Sequence, residues 1–247
     1  MAIVLREVGG AGAPLAGGYM ACDVPGSWAD VAAGLGLDGP VSSAELDALV
    51  GYYRSQGRTP KIQLHAFMHP TLRAGLTARG FVRDDIEDVW ARSTRAIEPA
   101  DALPGLQFRR VDPTQPADVD AFVASQGIGF YAPGSPLAGS LPIAARVARC
   151  PRARIYLLVL DGQIVGSGGL EVYDRSAVLI AGCVHPSARR QGIQAAFIRH
   201  RIALAHAEAD YVLIGSTPGG PSARNAQRAG FELAYRLETW RQVDARR

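Results

Sequence analysis

The sequence predicts an α/β (α+β) protein in two related parts, and three observations carry that expectation. The first is an apolar run at 177–184 (AVLIAGCV), which feeds a basic, glycine-containing turn and then an apolar-periodic segment from 192. The second is a pair of strand-like runs, 155–160 and 163–173, joined by Asp161-Gly162, a two-residue hairpin signal. The third is internal repetition. Residues 61–91 lie over 211–241 without a gap, Gly80-Phe81 meeting Gly230-Phe231 and Trp90 meeting Trp240. Residues 1–100 therefore read as a diverged, shortened copy of the domain at 105–247, with the stretch 93–104 as linker.

Taken in order, residues 3–8 suggest a short strand, and GGAGAPLAGG after it suggests a loop, since it has no lysine and no strand–helix context for phosphate binding. Ser27 is placed to cap a short helix through Leu35. Ser42 or Ser43 can cap a longer helix in which Leu46, Leu49, Val50 and Tyr53 recur at helical spacing, and Gly57 is placed to stop it. Residues 61–67 alternate like a strand, 71–79 form a short helix, and 81–91 one or two strand pieces. The second part reads as a strand at 106–111, helices at 117–125 and 141–148, the hairpin, the strand at 177–184 and a helix at 192–208. A strand at 211–217, a helix at 222–229 and strands near 231–235 and 237–243 complete it.

The turn at 184–195, VHPSARRQGIQA, carries the most chemistry. The first N–H groups of a helix have no intrahelical partner and sit at the positive end of its dipole. Arg189 and Arg190 add formal charge beside them, and Gly192 allows close approach to the backbone. Such a turn suits a pyrophosphate. It is neither a Walker loop nor a dinucleotide-binding turn, because GK[ST] and G-x-G-x-x-G are both absent from it.

Val184, Pro186, Arg189 and Gly192 fall on the pattern V-x-P-x-x-[RQ]-x-x-G-x-[GA], with Gln194 in the last place where glycine or alanine is commoner. In this the chain resembles the GNAT superfamily of acyl-CoA-dependent N-acetyltransferases, specifically its two-lobed bacterial members with a degenerate N-terminal lobe. The element order β-α-α-β-β-β-α-β-α-β-β over 106–243 matches that family, and residues 1–92 match as a half-copy. The resemblance implies a mixed, mostly antiparallel twisted sheet flanked by helices. It also implies acetyl-CoA (or another acyl-CoA) as co-substrate, without a metal, and transfer of the acyl group to a primary amine of a small molecule by direct attack. A longer acyl donor, a peptide or protein amine, or a CoA-binding module without turnover are the alternatives.

By the same resemblance, the backbone of Cys183 and Val184 contacts pantetheine and the acyl carbonyl, and Arg189, Arg190, Gln191, Gly192, Ile193 and Gln194 hold pyrophosphate. Asn225 bonds the pantetheine arm or the base. The family often places a general-acid tyrosine where Ala226 stands here, so Tyr235 becomes the candidate acid. Glu171, on the strand beside the central one, is the candidate base, with His185 behind it. Cys183 reads as a small buried thiol in preference to an acyl carrier. Gly129, Phe130, Tyr131 and Pro133 fall in the loop that shapes the acceptor pocket in the family.

Composition bounds the alternatives. A 48% hydrophobic, 20% charged chain with net charge +3 is globular, and its basic residues are almost all arginine, Lys61 being the only lysine. The arginines at 189–201 interleave with an amphipathic pattern and read as a solvated helix face, not a nucleic-acid footprint. His65 and His69 lack converging ligands for a metal. Cys22, Cys150 and Cys183 are scattered, as reduced cytoplasmic thiols are. No segment has the length of a signal h-region or a membrane span, and a fused two-lobe chain favours a monomer.

Overall fold

The computed structural model describes residues 2–25, 27–95, 103–131 and 140–243. The chain forms two compact units, Met1–Glu87 with Tyr235–Arg247, and Asp88–Ala234.

The first unit contains α1 (Ala2–Val8), β1 (Ala11–Leu15), β2 (Gly18–Cys22), β3 (Ala32–Ala33), α2 (Ser43–Ser55), β4 (Lys61–Leu64) and α3 (Pro70–Ala78). The start of β5 (Phe81–Ser93) and most of the last strand, β11 (Glu232–Gln242), also belong to it. Its sheet runs β1-β2-β3-β4-β11, antiparallel except for β3–β4. Helix α2 starts where its sequence says: Ser42 Oγ accepts from the Glu45 N–H at 3.2 Å, and the Glu45 carboxylate accepts from the Ser42 N–H at 2.7 Å. Leu46, Leu49 and Tyr53 then share the buried face, and the Tyr53 hydroxyl donates to Ala21 O at 3.0 Å. Gly57, at φ +65°, ends the segment. On the exposed side of α2, a Cβ added to Gly51 would meet nothing within 4 Å. Gly51→Ala is therefore expected to stabilise the protein by about 0.5–1 kcal/mol, read as a rise in the denaturant midpoint.

The second unit contains the end of β5, then β6 (Leu106–Arg110), α4 (Pro116–Phe130), α5 (Leu141–Arg149), β7 (Ala153–Leu160), β8 (Gln163–Tyr173) and β9 (Ser176–Val184). It continues through α6 (Ile193–Ala205), β10 (Tyr211–Ser216), α7 (Pro221–Arg228) and the first residues of β11. The sheet runs β5-β10-β9-β8-β7-β6, antiparallel except for β9–β10. A core of Leu158, Leu170, Leu179, Phe197, Ile198, Ile202 and Val212 joins α6 to the sheet. Each such side chain taken fully from water contributes roughly 1.5–3 kcal/mol.

The sequence repeat is visible in the elements. Strand–helix–strand β4-α3-β5 recurs as β10-α7-β11, each closing on a Gly-Phe. The closing strands are exchanged. Residues 88–93 of β5 pair with β10, and residues 238–241 of β11 pair with β4.

Several expectations are corrected. Residues 3–8 lie in helix α1, with Leu5 and Val8 buried at helical spacing. The expected loop after it holds β1 and the start of β2, where glycine, alanine and proline have low strand propensity. A Cβ at Gly18 would lie 2.3 Å from Ala33 O, so close backbone approach, not side-chain pattern, specifies this strand. No helix follows Ser27. Its hydroxyl donates to Asp23 Oδ2 at 3.0 Å and accepts from the Ala29 N–H at 3.3 Å, a local turn that competes with helix. The two strands expected near 231–235 and 237–243 are one, Glu232–Gln242, while residues 81–91 lie in one strand, within the one or two pieces expected. Helix α4 runs on to Phe130 and absorbs two glycines.

Candidate functional site: a forked sheet and an uncapped helix start

Strands β9 and β10 pair in parallel from Ser176 and Tyr211, and their register ends at Leu179 opposite Ile214. Beyond that point, Ile180–Val184 has no strand partner on its β10 side among the described residues, so this edge of the central strand is open there. An open edge offers backbone donors and acceptors to an extended ligand. At the same place β9 bulges: Ser167 faces Cys183 and Gly169 faces Ile180, leaving Ala181 and Gly182 opposite Gly168 alone. Ala181 lies at φ +52°. Gly168 must be small, because a Cβ there would fall 2.8 Å from both Gly182 Cα and Phe197 Cε1.

After β9 the chain makes a 3-10 turn, Pro186–Ala188, and reaches α6 through Arg190 at φ +65° and Gly192 at φ +79°. Gly192 is the N-cap and supplies no side chain to the first N–H groups. Arg190, Gln191 and Gly192 are exposed, while Ile193 turns into the core. The turn therefore presents backbone donors, a helix dipole and a guanidinium to solvent. Arg189 is used differently. It donates Nε to Val184 O at 3.2 Å and Nη2 to Gly129 O at 3.2 Å, bracing the turn against the end of α4. Gln194 points its amide inward, with Oε1 buried and without a partner.

The side chains of β9 on the α4 face form a buried polar cluster. Cys183 Sγ lies 3.5 Å from Ser167 Oγ, 3.6 Å from Gln126 Nε2 and 3.7 Å from Ser125 O, and burial pushes its thiol pKa up. That is a packed thiol, not a nucleophile. His185 Nε2 is 2.9 Å from Ser125 Oγ, and burial holds its pKa below the ordinary histidine value. The unfolded chain takes up a proton here as pH falls below 6.5, and the folded chain resists it. Stability from this residue is thus present at neutral pH and is lost on acidification through that range. A plot of melting temperature against pH from 8 to 5 is expected to be shallower for His185→Asn than for the parent.

The two catalytic candidates belong to different units. Glu171 is 2% exposed and opposite Val178, on the closed side of the fork. Four residues of strand, ~13 Å at 3.3 Å each, separate it from Ser167 at the bulge. Its Oε2 accepts from the Tyr173 hydroxyl at 2.7 Å. Tyr235 belongs to the first unit, its ring 4.5 Å from His65 and 5.8 Å from Phe67, and burial followed by the Glu87 charge pushes its pKa up. Asn225 lies on α7, where its Oδ1 accepts from Arg228 Nη1 at 3.1 Å, and neighbouring Ala226 is fully buried. Gly129 and Phe130 form the last turn of α4, Tyr131 caps it, and Pro133 lies outside the described residues.

Two buried polar side chains beside the bulge escaped the sequence reading. Arg201 is 1% exposed, on the core side of α6 and not on a solvated face, because spacing of four from Phe197 and Ala205 puts it there. Burial drops its pKa to about 9. Gln126 is buried on α4 among the cluster just described. Helical phase was the available signal for Arg201; Gln126 had none.

Among the described residues no group of His, Cys, Asp and Glu could hold a metal ion, and no helix is long and apolar enough to cross a membrane. The three cysteines are buried and in no disulfide. No family model and no curated protein matches the sequence. Solved structures do match. A GCN5-related N-acetyltransferase from Kribbella flavida aligns with TM-score 0.69 at 18% identity, over 98% of this chain and 92% of its own. A tandem GNAT protein from the clavulanic acid biosynthesis pathway aligns with TM-score 0.61 at 16% identity, over 83% of this chain and 70% of its own. An acetyltransferase of the GNAT family from Novosphingobium aromaticivorans aligns with TM-score 0.54 at 17% identity, over 86% and 84%. The forked sheet, the glycine turn and these alignments agree that the chain has the fold of the GCN5-related N-acetyltransferases.

Proposed function

We propose that this protein is an acyl-CoA-dependent N-acyltransferase, most simply moving acetyl from acetyl-CoA to the primary amine of a small molecule. The observation that carries the reading is the open β9 edge at Ile180–Val184, running directly into an uncapped, exposed helix start at Arg190–Ile193. Those two features are spaced as one extended ligand needs them, with an anionic end at the turn and an amide-bearing arm along the strand.

In this reading the turn binds the pyrophosphate through backbone N–H groups and Arg190. The open edge pairs with pantetheine. Backbone donors near the bulge meet the acyl carbonyl, whose oxygen gains charge as the amine nitrogen bonds to its carbon. The thiolate of CoA then leaves and takes a proton, and the nitrogen loses one. Cys183 is walled off by α4, so transfer is direct. Glu171 and Tyr235 remain the proposed base and acid, although the fork separates Glu171 from the bulge. The protein acts in this account as a cytoplasmic monomer.

Ala226 supports one second reading, a CoA-binding module without turnover, because the position often used for a general-acid tyrosine is a fully buried methyl here. Thiol release with acetyl-CoA and a panel of small amines separates the two. Amine-dependent release is the expected result; acyl-CoA that binds and is never consumed would favour the module.

A further inference from the structure

The bulge in β9 is gripped from both faces of the sheet by buried polar side chains. On the α6 face, Arg201 donates Nη1 to Gly169 O at 3.0 Å and to Ile180 O at 3.4 Å, and Nε to Phe197 O at 3.3 Å. Gly169 and Ile180 are the paired residues that immediately flank the bulge. The guanidinium also lies 4.0 Å from the Phe197 ring centroid. On the α4 face, Gln126 Nε2 donates to Ala181 O at 2.9 Å and to Ser167 Oγ at 2.8 Å. Between these grips Ala181 holds φ +52°, a left-handed conformation that a Cβ disfavours. Such backbone persists only where its surroundings over-determine it.

Two further facts point the same way. Among the described residues Arg201 has no ion pair, so a fully buried cation is held by carbonyl oxygens and the Phe197 ring without a carboxylate, an arrangement with a large desolvation cost. A Cβ at Gly182 would also sit 3.2 Å from Arg201 Nη2, 3.3 Å from its Nη1 and 3.4 Å from Gln194 Nε2. Gly182 is thus kept free of a side chain beside the guanidinium.

Resting on the acyltransferase reading, we propose that Arg201 and Gln126 are positioning residues. They fix the β9 bulge so that its backbone N–H groups face the open edge and polarise the acyl carbonyl. Neither touches the donor. Their effect is therefore on the transition state more than on binding of CoA, which is held at the turn.

The test is steady-state kinetics of Arg201→Met, Arg201→Lys and Gln126→Leu, beside the infrared band of a 13C-labelled thioester carbonyl in bound acetyl-CoA. Arg201→Met is expected to lose about 30-fold or more in kcat with KM for acetyl-CoA within about 3-fold, since misplaced oxyanion donors cost rate, not ground-state affinity. Arg201→Lys should recover part of that loss. The carbonyl band should move toward its position in free acetyl-CoA in both Arg201→Met and Gln126→Leu. A folded Arg201→Met with unchanged kcat, or rate loss with an unshifted band, overturns the proposal. If Arg201→Met does not fold, Gln126→Leu carries the same readouts from the opposite face. A parent protein that neither binds nor consumes acyl-CoA removes the underlying reading instead, and the proposal with it.

Discussion

Gly129→Val is expected to destabilise the second unit strongly. A Cβ at residue 129 would lie 2.3 Å from Cys183 Sγ and 2.6 Å from Cys183 Cβ, far inside contact distance, and valine adds two methyls beyond it. Neither side can yield cheaply. Cys183 is 5% exposed and packed beside Ser125, Gln126 and Ser167, and its backbone belongs to the central strand. Helix α4 must therefore lift from β9, taking with it the Gln126 and Arg189 contacts. Overpacking usually costs about 1–3 kcal/mol, and a backbone shift that also breaks buried hydrogen bonds belongs above that range. Urea unfolding should show the loss, and adding Cys183→Gly should restore part of it. A variant as stable as the parent would mean that α4 and β9 are not held this closely.

The second large effect concerns the turn. Arg190→Glu is expected to weaken CoA binding by at least about 100-fold, because it replaces a cation with an anion beside a helix start whose natural ligand is anionic. Arg190 is exposed and makes no described ion pair, so the fold should be unaffected; melting temperature without ligand should stay within a degree or two of the parent. Arg189→Ala should behave differently. That side chain braces Val184 O and Gly129 O, so its loss should lower stability as well as affinity. Equal effects of the two variants on stability would contradict this division of labour.

Much of this arrangement was legible in the residues, and the illegible parts share a cause. The glycine turn, the Ser42 cap, the Asp161-Gly162 hairpin and the Gly-Phe repeat are local signals: each depends on neighbours a few places away, and each appears where expected. The exchange of β5 and β11 depends on which distant edge each strand meets, and both strands carry the same pattern whichever edge that is. The first strand of the β1–β2 hairpin is mostly glycine, alanine and proline, which carry little alternation to read. Helix α4 overruns its glycines because Gly129 is selected by Cys183, more than fifty places from it in the chain yet in contact with it. For the site, the backbone elements were readable and the acid–base pair was not. The backbone chemistry follows from a motif. The placement of Glu171 on the closed side of the fork follows from strand register and from where β10 leaves β9, neither of which is a local signal.

The most direct test of the central claim, that the open β9 edge and the uncapped start of α6 form one acyl-CoA site, is a thermal-shift series. The purified protein would be heated with CoA, acetyl-CoA and longer acyl-CoAs. A ligand bound only by the folded state stabilises it by about 2.7 kcal/mol at a hundredfold excess over Kd. The account expects a clear rise in melting temperature with CoA and acetyl-CoA, with the largest shift naming the preferred donor. No shift with any of them would contradict it.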